Sequence, residues 1–287
     1  MFLSKIKFMV FALLILQTLF ISKISFAAEP LVFCVHPYLP SVELLQRFTP
    51  LVDYLSKETG LSIILKVSNS YEEHIEDIGK GKTNIAYLGP ASYVKMVDSY
   101  GRKPLLSRLE INNSPTFRGV IIVKNESKIM ELKNLAGKRF AFGDPASTMS
   151  SLVPHYMLIK EGIGLEKLNG YTHLSTHNNV ALSVLTGDND AGAVKEEVFY
   201  KYETRGLKAL AWTPRISEHL LVTDNTLSAG TLDSLRNALF HLKNSKKGQD
   251  IMKGIKSTIT SMVPVKDEDY DNLRIILQTL TKKGVKE

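Results

Sequence analysis

The stretch Phe142-Gly143-Asp144-Pro145-Ala146-Ser147-Thr148-Met149-Ser150-Ser151-Leu152-Val153-Pro154 gathers small and hydroxylated residues where an apolar strand gives way to a helix. Gly143-Asp144-Pro145 has the composition of a turn, and Ser147, Thr148, Ser150 and Ser151 then crowd a helix start. The first amides of a helix have no carbonyl to donate to, and the helix dipole places positive charge at the same end. Such an end binds anions. The plain alternative is ordinary capping, for which Ser and Thr are the commonest residues. Pro154 is tolerated within a first turn, so the spacing predicts a helix that starts close to Ser150. A second helix start lies at Ser175-Thr176-His177-Asn178, ahead of Val180, Ala181, Val184 and Leu185 at helical spacing. The imidazole of His177 can donate to an anionic oxygen there, while the dipole disfavours its protonation.

No enzymatic constellation accompanies these residues. There is no nucleophile elbow, no His-Glu-x-x-His, no phosphate loop with its lysine and no dinucleotide glycine fingerprint. His173 and His177 straddle a strand and its following loop instead of sharing a helical face. A binding protein without cofactor or metal is the expectation.

The elements that must position the two helix starts follow from the apolar pattern. Strands are expected at Leu31 to Val35, Ser62 to Val67 and Thr83 to Tyr87. Helices are expected from Leu44 to Thr59, with Leu45, Phe48, Leu51, Val52 and Leu55 on one face, from Tyr71 to Gly79, and after Gly89-Pro90. This alternation implies an open, largely parallel sheet covered on both faces. Strands at Gly119 to Val123, Phe140 to Phe142, Tyr171 to Leu174 and Ala191 to Val194, with a helix from Asn178 to Leu185, describe a second α/β lobe. A strand at Leu220 to Thr223 and helices at Leu232 to Leu242, Gly248 to Lys253 and Asp267 to Thr281 then follow. If Gly119 and Leu220 begin crossovers, the lobe 117–219 is inserted into a lobe made of 28–116 and 220–287. A cleft between lobes is the usual place for a ligand.

The N-terminus sets the compartment. Lys5 and Lys7 precede an apolar run from Phe8 to Ile21, and Ser25-Phe26-Ala27 has the form of a cleavage site, so a secretory leader removed after Ala27 and a periplasmic location are expected. Lys5, Lys7 and Lys23 of the leader contribute three units to the formal net charge of +7 of the 287-residue chain, leaving +4. That is too little to indicate nucleic-acid binding. Lys243, Lys246 and Lys247 form the one dense basic cluster and read as a solvated face. With Cys34 as the single cysteine no internal disulfide can form, and it reads as a small buried residue of the first strand.

The sequence Gly143-Asp144-Pro145-Ala146-Ser147-Thr148, followed by Leu152-Val153-Pro154, resembles the signature of the phosphonate/phosphite/phosphate-binding proteins that serve ABC transporters. Phe48-Thr49-Pro50-Leu51, Tyr54-Leu55, Asn84-Ile85-Ala86-Tyr87-Leu88-Gly89-Pro90, His177 with Val180-Ala181-Leu182, and Asp190-Ala191-Gly192-Ala193-Val194 extend the likeness over the whole mature chain. The resemblance implies a two-lobed, type II periplasmic binding protein with two crossover strands. It implies Ser147 and Thr148 as donors to the anion, His177 as a further donor, and Tyr71 as the first lobe's cap on the same group; Tyr87 is a further candidate.

The chain departs from the family at informative places. Met149-Ser150 stands where a third hydroxyl and a glycine are usual, and Phe117 where a second aromatic donor is expected. Two carboxylates meet the ammonium of the ligand in members that accept an aminoalkyl phosphonate. Glu197 matches the first, and the second falls at Glu218-His219. Closure about crossovers near Gly119 and Leu220 is expected, with neutral donors sufficing for the anion. The partner implied is a permease in the inner membrane. An exported module that reports a ligand to a membrane histidine kinase, or a pocket retuned for another small anion, remain open alternatives at this point.

Overall fold

Strand β1 (Leu31–Val35) is apolar on both faces, and Phe33, Cys34 and Val35 are wholly buried. A strand of this composition sits inside a sheet covered on both sides. Cys34 is buried as its context suggests, with Sγ 3.1 Å from the Ser68 hydroxyl. The computed structural model describes residues 29–284, so the expected leader through Ala27 lies outside the described residues.

Helix α1 (Ser41–Thr59) follows, buries Leu44, Phe48, Leu51, Val52 and Leu55, and ends where Gly60 adopts φ +70°. The apolar face differs by one residue from the expected one: Leu44 is buried and Leu45 is 39% exposed, because the i, i+4, i+7, i+8, i+11 series begins at Leu44. The chain continues through β2 (Ile63–Val67), α2 (Tyr71–Gly79), β3 (Ile85–Leu88), α3 (Pro90–Tyr100) and β4 (Leu105–Ile111). It then passes through the two-residue β5 (Thr116–Phe117) into a second series. That series comprises β6 (Gly119–Lys124), β7 (Phe140–Phe142), α4 (Val153–Lys160), β8 (Tyr171–His173), α5 (His177–Thr186), β9 (Ala191–Lys195), α6 (Glu196–Glu203) and β10 (Leu207–Trp212). The two-residue β11 (Ile216–Ser217) leads back to β12 (Leu220–Thr223), α7 (Ala229–His241), α8 (Lys246–Ile255), β13 (Ile259–Val263) and α9 (Asp271–Lys282).

Two sheets result. The six-stranded sheet has the order β13-β4-β12-β3-β1-β2, and the five-stranded sheet the order β10-β6-β9-β7-β8. In the first, β12 and β13 run against the other four strands. In the second, β6 alone runs against the rest. Strand alternation sends neighbouring side chains to opposite faces. Ile85 and Tyr87 of β3 thus join the core under α1, α7 and α8, while Ala86 and Leu88 join that under α3 and α9. In β6, Ile121 and Val123 face one core and Val120 and Ile122 the other.

The strands at Gly119 and Leu220 belong to different sheets, and the crossing is made just outside them by β5 and β11. These pair as an antiparallel ribbon, Ile216 opposite Phe117 and Ser217 opposite Thr116. Strands β4, β10 and β13 and helix α6 are additions to the expected pattern. Ser107, Arg108 and Glu110 interrupt β4, and Arg108 finds partners inside the fold, Ser217 at 3.0 Å and Asp269 at 3.2 Å. No turn residue separates β9 from α6. The expected helix from Asp267 opens as a 3-10 turn, Asp267–Tyr270, before α9 begins at Asp271.

The lobes also share one apolar cluster. Met149, Leu152 and Val153 of the second lobe pack with Tyr93, Val94, Leu273, Ile276, Leu277 and Leu280 of the first. The seam lies on the sheet face covered by α3 and α9. Leu277 is 5% exposed, and Leu277→Ala is expected to cost about 2–5 kcal/mol through lost burial and the void it leaves. Urea denaturation measures this; an unchanged midpoint would show that the seam does not hold the lobes.

Candidate functional site

The turn after β7 is built by its own side chains. The Asp144 carboxylate accepts the Ala146 amide at 2.8 Å, and the Ser147 amide donates to the Asp144 carbonyl at 2.9 Å. Gly143 is required because a Cβ there would run into the Ser150 side chain. Ser147 is the helix cap, its hydroxyl accepting the Ser150 amide at 3.3 Å. The helix therefore opens at Thr148, two residues earlier than its proline suggests. It opens as a π turn, Thr148–Leu152, and tightens to an α-helix at Val153, with Pro154 in the first α-helical turn. The wider turn moves the free amides of Thr148 and Met149 toward the cleft end of β7.

A cavity of about 390 Å³ lies between the sheets. It is lined from the second lobe by Ser147, Thr148, Met149, His177, Lys195 and Glu197, and from the first by His36, Tyr38, Tyr71, Tyr87 and Lys256. Phe117, Glu218 and His219 line it at the ribbon. Ten of the eleven residues singled out from the sequence thus share one cavity. Ser150 does not: it is wholly buried and donates to the Ala193 carbonyl at 2.5 Å, which fastens the helix to β9. Met149 lends the cavity only part of its surface; its side chain is buried in the seam, with Sδ accepting the Thr213 hydroxyl at 3.5 Å.

His177 is the first residue of α5, after the cap Thr176. The Lys195 amide donates to its Nδ1 at 3.1 Å, so the neutral ring carries its proton on Nε2. Burial, helped by the charges of Lys195 and Lys256, brings its pKa down to about 3. Tyr71, capped into α2 by Ser70, has its phenol pushed well above the usual range by burial and by the negative charge of Asp144. It is a donor at any physiological pH. Thr148 accepts the Ala91 amide of α3 at 3.3 Å, and its own hydroxyl proton stays available.

A block of rings forms the first-lobe wall. His36 and Tyr87 stack at 5.4 Å with 6° between their planes, and His219 stacks on both, at 5.8 and 5.6 Å. The Tyr87 carbonyl accepts from His36 Nδ1 and His74 Nε2, each at 3.0 Å, which fixes both tautomers. Glu218 is 2% exposed and bonded to His219 Nδ1 at 2.9 Å. Burial would raise its carboxyl, but that bond and the charges of His219, Lys195 and Lys256 outweigh it and hold the carboxyl low. Glu197 reaches Lys256 of the other lobe at 2.5 Å, and its neighbour Glu196 is held by Arg118 at 2.7 Å.

His36, Arg47, Lys195 and Lys256 are cavity residues that sequence reasoning passed over. His36 and Lys195 stand at the carboxyl ends of β1 and β9. Ligands of open α/β sheets collect at that edge, and this rule could have found both. Lys195 also modifies the expectation that neutral donors suffice. Among the described residues no cluster of His, Cys, Asp or Glu could hold a metal ion, and no helix is long and apolar enough to cross a membrane.

Residues 33–270 match the family of ABC transporter, phosphonate, periplasmic substrate-binding proteins. The chain belongs to this family. Among similar proteins, the phosphate-import protein PhnD of Mycolicibacterium smegmatis is 26% identical over 86% of this chain and 84% of its own length. The phosphonates-binding periplasmic protein of Escherichia coli is 27% identical over 66% of this chain and 59% of its own. A solved binding protein of a phosphonate ABC transporter from Pseudomonas aeruginosa superposes with a TM-score of 0.71 at 22% identity, covering 86% of this chain and 85% of that one. Another from Prochlorococcus marinus, in complex with methylphosphonate, gives 0.75 at 21% identity over 88% and 98%. The binding-protein family is one of transport components, and the type II two-lobed fold is shared with these solved neighbours.

The buried histidines of this binding protein make its stability depend on pH. Burial lowers His177 to about 3, His74 to about 4 and His36 well below its ordinary value. In the unfolded chain each takes up a proton near pH 6.5. Below that pH the unfolded state binds more protons, so stability falls as pH drops from about 6.5 to 4 and is flat above it with respect to these rings. Urea titrations should show the slope, and His177→Gln should reduce it by at most about 1.4 kcal/mol per pH unit. An unchanged slope in the variant would mean that the folded ring is already protonated.

Proposed function

We propose that this protein is exported, loses its leader after Ala27, and captures a phosphorus oxyanion, phosphonate, phosphite or phosphate, in the cleft for an inner-membrane ABC permease. The convergence of the Ser147–Thr148 helix start, the His177 imidazole and the Tyr71 phenol on one cavity, from both lobes, carries this reading. The free amides at the helix opening, Nε2–H of His177 and the two hydroxyls are donors without a covalent role. A phosphorus oxyanion presents acceptors in several directions at once, which suits donors arriving from opposite walls. The relatives support the class: one is named for phosphate import and another was solved with methylphosphonate.

In this reading lobe 117–219 closes on the lobe formed by 28–116 and 220–287 through bending at the β5–β11 ribbon. The Glu197–Lys256 pair forms across the closed cleft. Both partners are partly exposed, so its contribution is about 1 kcal/mol or less. Glu197→Gln should therefore weaken ligand binding by no more than about fivefold, since the closed state is stabilised only by that amount. A far larger loss would place Glu197 on the ligand itself.

The direct test is calorimetry of the mature protein with phosphate, phosphite, methylphosphonate, 2-aminoethylphosphonate and sulfate. At least one phosphorus oxyanion should bind, and sulfate should bind more weakly. Ser147→Ala and His177→Gln should each cost about 1.5–3 kcal/mol, the range for a hydrogen bond to a charged group, or roughly 10- to 100-fold in affinity. Thr148→Ala is less informative because it also strips the Ala91 amide of its partner. Binding of sulfate in preference to every phosphorus compound would overturn the ligand assignment and leave the fold.

A further inference from the structure

The Lys195 side chain has no part in the roles assigned above, yet it lines the cleft. It ends β9, lines the cavity, and places Nζ 5.4 Å from the centroid of the Phe117 ring. The other full charges on the cavity wall are already engaged. Lys256 is on Glu197 at 2.5 Å, Arg47 on Glu43 at 2.5 Å and Glu218 on His219 at 2.9 Å. Asp144 accepts the Ala146 amide at 2.8 Å. The Lys195 ammonium has neither ion pair nor hydrogen-bond partner among the described residues.

Its surroundings locate it further. Burial pushes its pKa down, and Lys256, Glu197 and Glu218 all act on it; in turn its charge acts on His36, His177 and His219. The ammonium thus shares one cavity with His36, His177 and His219 and with the carboxylates of Glu197 and Glu218. Phe117 contributes no hydroxyl beside it, so a donor is wanted there. An anion in the cleft restores the charge state that burial disfavours.

We propose that Lys195 is the cation that meets the ligand, and that it restricts the ligand to phosphorus oxyanions whose remainder carries no ammonium group. Glu197 and Glu218 are the carboxylates that could receive a ligand ammonium; Lys256 pairs with the first, His219 bonds Oε2 of the second, and the charge of Lys195 acts on both. An incoming ammonium would be desolvated against the like charges of Lys195 and Lys256, both on the cavity wall. An uncharged or anionic remainder fits the same space, bounded by Phe117 and the ring block, and the 390 Å³ cavity exceeds what the anion alone fills. This inference rests on the reading of the cleft as an oxyanion site.

Calorimetry with two matched pairs tests it: methylphosphonate against 2-aminoethylphosphonate, and methanesulfonate against taurine. The wild-type protein should bind the ligand without the amine at least tenfold tighter in whichever pair binds. Lys195→Met should lose at least tenfold in affinity for that ligand and bring the preference below threefold, while Lys195→Arg keeps most of both; thermal melts confirm that the variants are folded. Equal or tighter binding of the aminated member by the wild-type protein overturns the proposal without any variant, as does a preference that survives in Lys195→Met. If only the sulfur pair binds, and with the stated preference, the phosphorus assignment falls and the role of Lys195 as the selective cation stands. If the phosphorus pair binds without preference, the reverse holds.

Discussion

Burying a small anion is the constraint under which this cleft is built. An ion taken out of water forfeits hydration worth several kcal/mol even after the protein relaxes, and only oriented donors already in place can offset it. In the proposed site three devices would serve that need. A strand-to-helix turn aims free amides at the cavity, a backbone amide fixes which nitrogen of His177 carries the proton, and Tyr71 reaches over from the other lobe. Each device depends on a contact outside the cavity. Ser150 ties the helix opening to β9, and the capping of α2 by Ser70 sets where Tyr71 begins.

The two-lobe plan was legible because the apolar runs of the inner strands alternate with amphipathic helices. Phe140–Phe142, Leu220–Thr223 and Tyr71–Gly79 have the bounds that the pattern implies. Strands that carry polar residues into the fold were not legible. Arg108 in β4 is acceptable only because Ser217 and Asp269, more than a hundred residues away, come to meet it. The proposed anion donors announced themselves through local chemistry, a turn followed by hydroxyls and a histidine after a strand. Lys195 and His36 did not, since a lone Lys or His has no local signature and is singled out only by its place at the carboxyl end of a strand.

Fold and pocket are separable in this family. Structures at 21–22% identity share the two-lobed architecture, whereas the cavity wall is set by a few side chains that the architecture does not dictate. Met149 turns its side chain into the seam between the lobes, and Phe117 offers a ring face where a hydroxyl would be a donor. The stacked rings of His36, Tyr87 and His219 make that wall stiff, because the Tyr87 carbonyl holds two imidazoles from behind.

The fastening of the two lobes is unequal on the two faces of the first sheet. On the face of α3 and α9 it is a continuous apolar contact; on the face of α1 and α8 the ion pair among the described residues is that of Lys256 with Glu197. The greasy side is insensitive to salt, while the charged side is a latch that ionic strength loosens. If the cleft opens as proposed, the edge that carries Lys256 is the one that salt would free first.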